Sequence, residues 1–171
     1  MSFGAKSIRP KIEAALSATA DRLSPGSGDT AVHHAKTDLS LIDATEENLN
    51  GRYADAPVVL ASPAVFETKH IDGDPVTFKK HHDGVIIVFS DSFIFIRGMG
   101  FGAREIKAVR KDEVAVEQVT AVVDGADVPG LRISGRAGKP KFVLAVTQSK
   151  VACDPTEQAA VRDEIYELLA R

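Results

Sequence analysis

The sequence has no tryptophan, a single cysteine and no long apolar run. Without tryptophan, neither an aromatic cage nor an interfacial tryptophan belt is expected. Cys153 cannot form an internal disulfide and the N-terminus lacks the apolar core of a signal peptide, so we expect a reducing, cytoplasmic setting. The apolar runs fall far short of the roughly 20 residues that a membrane-spanning helix needs, and the sequence therefore predicts no transmembrane segment.

The chain also lacks a large net charge and the common catalytic motifs. A net charge of -3 over 171 residues argues against a nucleic-acid partner. The chain contains no G-x-S-x-G, H-E-x-x-H or P-loop motif, so we predict a protein that is not an enzyme and has no cofactor. The pairs His33-His34 and His81-His82 lack the ligand spacing of a zinc site, which favours solvated histidines and no metal.

The first clear pattern along the chain is an amphipathic segment at the N-terminus. Apolar residues recur at helical spacing and predict a helix within residues 1–23, regular from Arg9 because Pro10 fits the first turn. Its stripe is expected to pack on the chain's own domain or on another chain, and the alternative is an anionic surface that Lys6, Arg9 and Lys11 near its start would favour. The residues that would form such a partner-facing helix face are Ile8, Ile12, Leu16 and Leu23.

Mixed signals over residues 24–74 predict a linker or arm with short elements. Proline and glycine favour a linker over 24–36, and the D-x-x-E pattern from Asp43 predicts a short helix that ends before Gly51. Residues 57–60 suit a short strand, and 63–68 suit either a helix or an extended arm. The turn residues before Pro75 place the start of the main domain near residue 75.

The strongest pattern lies in the centre of the chain. The apolar runs Val85–Phe89 and Phe93–Ile96, separated by Ser90-Asp91-Ser92, predict two buried strands. Further short runs between turn residues bring the total to about seven strands, which favours a small antiparallel barrel or sandwich. A final helix is predicted from Asp154 as N-cap, with Pro155 in the first position and Glu157 in the third.

This order of elements is similar to that of the small bacterial pleckstrin-homology-like (PH-like) domains. The stretch DGVIIVFSDSFIFIRGMGFGAREIKAVRKDEVAVEQVTAV resembles their succession of strand, polar turn, strand, glycine loop, charged strand and further strand. The resemblance covers about residues 75–171. It implies a mainly β (α+β) fold, a small barrel capped by a C-terminal helix, and a module that binds lipid headgroups, peptides or other chains, or that assembles.

Five cations and one acid lie between positions 97 and 111. Two hypotheses follow: a solvated edge strand, or an anion-binding patch near the glycine loop. Two apolar residues in that loop suit a contact with a partner or a membrane interface if they are exposed. The predicted ligand- or partner-binding residues are Arg97, Met99, Phe101, Arg104, Arg110 and Lys111.

The resulting functional hypothesis is a non-enzymatic interaction or assembly module whose N-terminal helix and arm contact another chain or a second copy, for example in a virion or another assembly. The alternative is a peripheral domain that binds anionic lipid or a phosphoryl ligand through the cations between Arg97 and Lys111. A third class, a hydrolase or transferase with a site assembled from distant residues, can be recognised only in three dimensions.

Overall fold

The computed structural model describes residues 7–48, 53, 55–80 and 82–170. Within these ranges the chain forms four α-helices, one short 3-10 helix (Lys111–Glu113) and eight strands. No helix in this part of the chain is long and apolar enough to cross a membrane. The elements are α1 (Arg9–Leu23), α2 (Gly28–His34), α3 (Lys36–Asn48), β1 (Leu60–Glu67), β2 (Val76–Thr77), β3 (His82–Val88), β4 (Ser92–Gly100), β5 (Ala103–Arg110), β6 (Val114–Val123), β7 (Ala126–Gly135), β8 (Lys141–Ala145) and α4 (Pro155–Leu169).

The strands form one mixed sheet that curves into a half-barrel, in the order β2-β6-β7-β8-β1-β3-β4-β5. All neighbouring strands are antiparallel except β2, which runs parallel to β6. The mainly β fold with N-terminal helices and a C-terminal helix confirms the predicted fold class. The strand order, in which a four-strand unit and a three-strand unit meet at β1 and β8, is consistent with a PH-like barrel.

The central apolar runs are continuous because helices cover both faces of the sheet at β1, β3 and β4. Ile86 and Val88 of β3 belong to the core beneath α4, which also contains Val161 and Ile165. The alternate residues of β3 face the opposite way, since successive side chains of a strand point to opposite faces. They pack with α1 and α3 in a second core that contains Val85, Ile87, Ile94, Ile96, Ile12, Leu16, Leu39 and Ile42.

The predicted C-terminal helix is confirmed with its cap. The Asp154 side chain accepts a hydrogen bond from the Thr156 amide at 2.9 Å, and Pro155 occupies the first turn. Glu157 has a different role from the predicted capping box, because its carboxylate pairs with Arg22 of α1 at 3.1 Å. Glu164 pairs with the same guanidinium at 2.7 Å, so two acids of α4 hold the end of α1.

The N-terminal helix begins at Arg9 as predicted, but the structure contradicts its proposed partner-facing stripe. Ile8, Ile12, Leu16 and Leu23 are fully buried within their own chain. The first three pack in the core under α1 and α3, and Leu23 joins the core under α4. Of the alternatives for this stripe, packing on its own domain is correct, because the outer face of β1, β3 and β4 is also apolar.

The predicted linker over 24–36 is wrong, since α2 occupies 28–34 and α3 begins at Lys36, before the predicted start at Asp43. The arm is wrong for residues 60–67, which form β1 between β3 and β8 in the sheet. Pro63 is tolerated there because β8 pairs only with residues 65–67. The division at residue 75 therefore separates β1 from the strands that flank it.

Candidate interaction site

The β4–β5 hairpin ends in a tight turn made by Phe101 and Gly102. Both residues have positive φ, 54° and 77°, as a two-residue type I′ turn requires, and Gly100 before them has φ 89°. Glycine adopts this conformation at little cost, whereas a bulky side chain rarely does. Phe101 thus occupies a position that asparagine or glycine would fill with less strain.

The side chain of Phe101 is not buried, so no buried apolar area offsets the strain of the turn. Its relative exposure is 111%, and Met99 nearby is 48% exposed. Among the described residues, Val59 is the remaining large exposed hydrophobic, at 46%. We name Met99 and Phe101 the hairpin tip. An apolar pair held outward on a strained turn is a feature that a contact with another molecule would explain.

The cations between positions 97 and 111 are separated in the fold, and three of them pair with acids. Arg97 forms an ion pair with Glu105 at 3.2 Å, across the β4–β5 register. Arg110 pairs with Asp112 at 3.1 Å, and that hydrogen bond raises the pKa of Arg110 above its ordinary value. Arg110 ends β5 and Lys111 begins the 3-10 helix, so both lie about 20 Å from Arg104 at a strand rise of about 3.3 Å per residue. The four cations among the predicted residues therefore do not converge on one anion.

Arg104 points away from the hairpin tip, into a cavity between the helices and the sheet. Its Nε lies 2.6 Å from Asp38 Oδ1, and its Nη2 donates to Asp38 Oδ2 at 3.2 Å. Its Nη1 donates to the backbone oxygen of Asp83 at 3.3 Å. The guanidinium passes over Gly98, where a Cβ would lie 2.5 Å from Nη1. Glycine at position 98 thus makes room for this arrangement.

Asp38 is the functional candidate that the sequence analysis missed. It is 3% exposed and lines a cavity of about 100 Å³ together with Arg104, Asp83 and His34. Burial raises the pKa of Asp38 above its usual value; Arg104 opposes the rise, Asp83 adds to it and His34 reduces it. The sequence offers one signal for this residue: Asp38 is an acid within a stretch whose apolar residues recur at helical spacing. That spacing can be recognised only if α3 is taken to start before Asp43.

The other candidate groups lie apart from one another. His33 and His34 end α2, His82 begins β3, and His81 lies outside the described residues. Over the described ranges, no three histidine, cysteine or acidic residues are grouped as metal ligands. Cys153 is partly buried against the core under α4, and its Sγ lies 3.6 Å from the Val151 oxygen, in agreement with a packed thiol.

Comparison with known proteins finds distant similarity to solved structures. No protein-family model and no curated protein matches the chain. A solved C-terminal domain of an unknown protein from Leishmania infantum matches with a TM-score of 0.47 and 8% identity, over 77% of this chain and 97% of that one. Human RhoA in complex with the DH/PH fragment of PDZRHOGEF matches at 0.42 and 11% identity, over 96% of this chain and 38% of that one. At these scores neither similarity bears on function.

Proposed function

We propose that this chain is a non-enzymatic, cytoplasmic interaction module of PH-like architecture that binds a protein partner through the hairpin tip. The observation that carries the proposal is the full exposure of Phe101 on a turn with positive φ. Aromatic side chains are enriched among the residues that dominate binding energy at protein interfaces, where they fill a pocket of the partner. Phe101 is the anchor in this proposal, and Met99 extends the contact.

The N-terminal helix contributes to this module as a structural element. Its apolar stripe is buried against the sheet, so an assembly contact through that stripe would first require the helix to leave its own core. A second copy of the chain remains one candidate partner for the hairpin tip. Size-exclusion chromatography with light scattering distinguishes this version, because a Phe101→Ser variant would then shift a dimer to a monomer.

An anionic membrane is the second candidate, because an exposed Phe on a loop can insert at a lipid interface. The neighbouring charges favour a protein instead. Arg97 and Arg104 are both committed to acids of the same chain, and the whole chain carries a net charge of -3. Attraction to anionic lipid depends on cations near the surface that are free to face it.

The test is site-specific photocrosslinking in cells of the source organism. A photoreactive phenylalanine analogue replaces Phe101, and a matched control carries it at Val59, a second exposed apolar position. We expect a discrete crosslinked protein from position 101 and none of the same identity from position 59. Binding of that purified protein should weaken at least about 30-fold in Phe101→Ser, the effect of losing an interface hot spot, and remain unchanged in Val59→Ser.

Two results would contradict the proposal. One is the same set of crosslinks from both positions, which would mean that position 101 records only accessibility. The other is sedimentation of the chain with vesicles containing phosphatidylserine at low salt, abolished by Phe101→Ser but retained in Val59→Ser. That second result would assign the hairpin tip to a membrane surface.

A further inference from the structure

The cavity that contains Asp38 is separate from the hairpin tip and is built mainly from other elements, with Arg104 of β5 as a shared residue. It lies between the helices and the start of β3, and the loop after β8 forms another wall. The cavity is partly open to solvent and holds about 100 Å³. Most of its lining is apolar, contributed by Leu16, Ala31, Ala35, Pro63, Ala64 and Val85.

The size of the cavity limits what can enter. A dry apolar cavity of about 150 Å³ accommodates benzene, so a cavity of two thirds that volume suits a body of about four to six non-hydrogen atoms. The apolar lining favours a hydrocarbon body. The polar part of the wall includes the side chains of Thr30, Thr147, Gln148 and Ser149 in addition to the charged residues. A ligand that fits has an apolar body and a compact polar head.

The cavity wall carries more acidic groups than basic ones. Asp38 and Asp83 are two carboxylates, and Arg104 is one guanidinium. Arg104 is committed to the Asp38 carboxylate and to the backbone of Asp83. The carboxylate of Asp83 forms no ion pair or hydrogen bond with the described residues. The two carboxylates thus outnumber the one guanidinium at the wall, and the Asp83 carboxylate has no cation bonded to it among the described residues.

Asp38 also retains capacity for a donor. Its Oδ1 lies 2.6 Å from Arg104 Nε in the ion pair, but this buried atom accepts no hydrogen bond of regular geometry within the described part of the chain. A buried acceptor without a donor is costly, and native structures seldom leave one. A donor entering from the cavity would satisfy it. That donor would also be attracted by the carboxylate of Asp83.

We propose that this cavity binds a small alkylammonium group, with its hydrocarbon body against the apolar lining and its ammonium between Asp38 and Asp83. An ammonium has three donors and no acceptor, which suits two carboxylates and the neighbouring hydroxyl groups. The same chemistry is offered by a free alkylamine and by the lysine side chain of a partner protein. The site is independent of the hairpin tip, so failure of either proposal leaves the other standing.

The first test compares three ligands of the same length. Binding of n-butylamine, n-butanol and butyrate to the full chain is followed by NMR chemical-shift changes of the amides lining the cavity. We expect n-butylamine to bind at least about tenfold more tightly than n-butanol, the difference made by a charged hydrogen bond. Inorganic phosphate is a fourth arm. Equal binding of the alcohol, or binding of butyrate or phosphate in place of the amine, would overturn the proposal.

Variants then assign the binding to the cavity. Asp83→Asn should weaken n-butylamine at least about tenfold without affecting folding, because the carboxylate has no structural contact. Asp38→Asn should do the same provided its far-UV spectrum is native. Ala31→Leu should block binding by filling the cavity. The matched control is Asp91→Asn, which removes the same charge from an exposed position in the turn between β3 and β4. An equal loss in that control would mean that only net charge matters.

The last arm distinguishes the two sources. N-acetyl-lysine methylamide carries the same butylammonium on a peptide backbone. If it binds comparably to n-butylamine, the cavity accepts a lysine side chain, and if the free amine alone binds, the ligand is a small molecule. Absence of binding by both ammonium compounds at concentrations up to tens of millimolar would refute the site.

Discussion

At the scale of single residues, Glu67 shows how one buried acid can organise two loops. It is 2% exposed at the end of β1. Its Oε2 accepts from the amides of Thr68 and Lys69, at 2.9 and 3.5 Å, and its Oε1 accepts from those of Lys79 and Lys80, at 3.0 and 3.5 Å. Burial alone would raise the pKa of Glu67, but these four amide donors outweigh it and leave the pKa below its ordinary value of 4.5.

We therefore expect Glu67→Gln to destabilise the chain by about 2 kcal/mol or more at pH 7, because the amide NH₂ would face donors in one of the two loops. Since the folded pKa is lowered, the carboxylate's contribution is fully present above the unfolded pKa and is lost as pH falls through the folded pKa. Urea unfolding at a series of pH values should therefore show the wild type and Glu67→Gln converging as acid is added.

The control for this prediction is Glu113→Gln, which removes an equal charge from an exposed position in the 3-10 helix. We expect it to change the free energy of unfolding by no more than about 0.5 kcal/mol. A gap between wild type and Glu67→Gln that stays constant down to acidic pH would show that the amide contacts do not depend on the ionised carboxylate.

At the scale of elements, the local pattern was sufficient for strands and helices whose signals lie within a few residues. The apolar runs of β3 and β4 and the cap of α4 could be predicted because each depends on neighbours in sequence. β1 could not, since Pro63 interrupts its pattern and its pairing partners are distant. Its tolerance of proline depends on β8 stopping short of residue 63, which only the sheet reveals.

The candidate sites, too, could be predicted from sequence only where the residues involved are close together in the chain. The hairpin and its glycine-rich tip could be placed from sequence, and the pairing of Arg97 with Glu105 follows from the hairpin register. The pairing of Arg104 with Asp38 joins residues 66 positions apart and depends on where α3 lies. The cavity therefore cannot be predicted from local sequence patterns. The cations between positions 97 and 111 are close in sequence, but the fold separates them.

The docking of α1 yields a prediction at this scale. Leu16 is fully buried and contributes both to the core beneath α1 and to the lining of the cavity. Leu16→Ala should destabilise the chain by about 2–5 kcal/mol, the range for a buried leucine. Chemical denaturation provides the measurement, with Lys11→Ala on the exposed face of the same helix as control. A loss below about 0.5 kcal/mol in Leu16→Ala would mean that α1 is not held on the sheet in solution.

At the scale of the whole molecule, the two main cores share the same strands. Alternate residues of β3 and β4 belong to opposite faces, one beneath α4 and one beneath α1 and α3. Removing either set of helices would leave half of each strand's apolar side chains in water. The free energy of one face thus depends on the other, and we expect the helices before β1 and the barrel to unfold together.

The chain's two tyrosines provide a probe for each face. Tyr53 packs on Phe89 in the core beneath α1 and α3, with ring centroids 4.5 Å apart, and Tyr166 packs against the core beneath α4. Tyr166→Phe leaves Tyr53 as the fluorescent reporter, and Tyr53→Phe leaves Tyr166. In each variant we expect the urea midpoint from tyrosine fluorescence to coincide with that from far-UV circular dichroism.

The comparison is made within each variant, because Tyr53→Phe also removes the hydrogen bond between the Tyr53 and Ser92 hydroxyls at 3.1 Å and lowers stability by about 1 kcal/mol. Coincident midpoints in both variants would show that the helices and barrel form one cooperative unit. If Tyr53 instead reports a transition at lower urea than the backbone signal, the helical layer detaches before the barrel unfolds. The stripe on α1 would then be free to meet another chain, and an assembly role for the N-terminal segment would regain its physical basis.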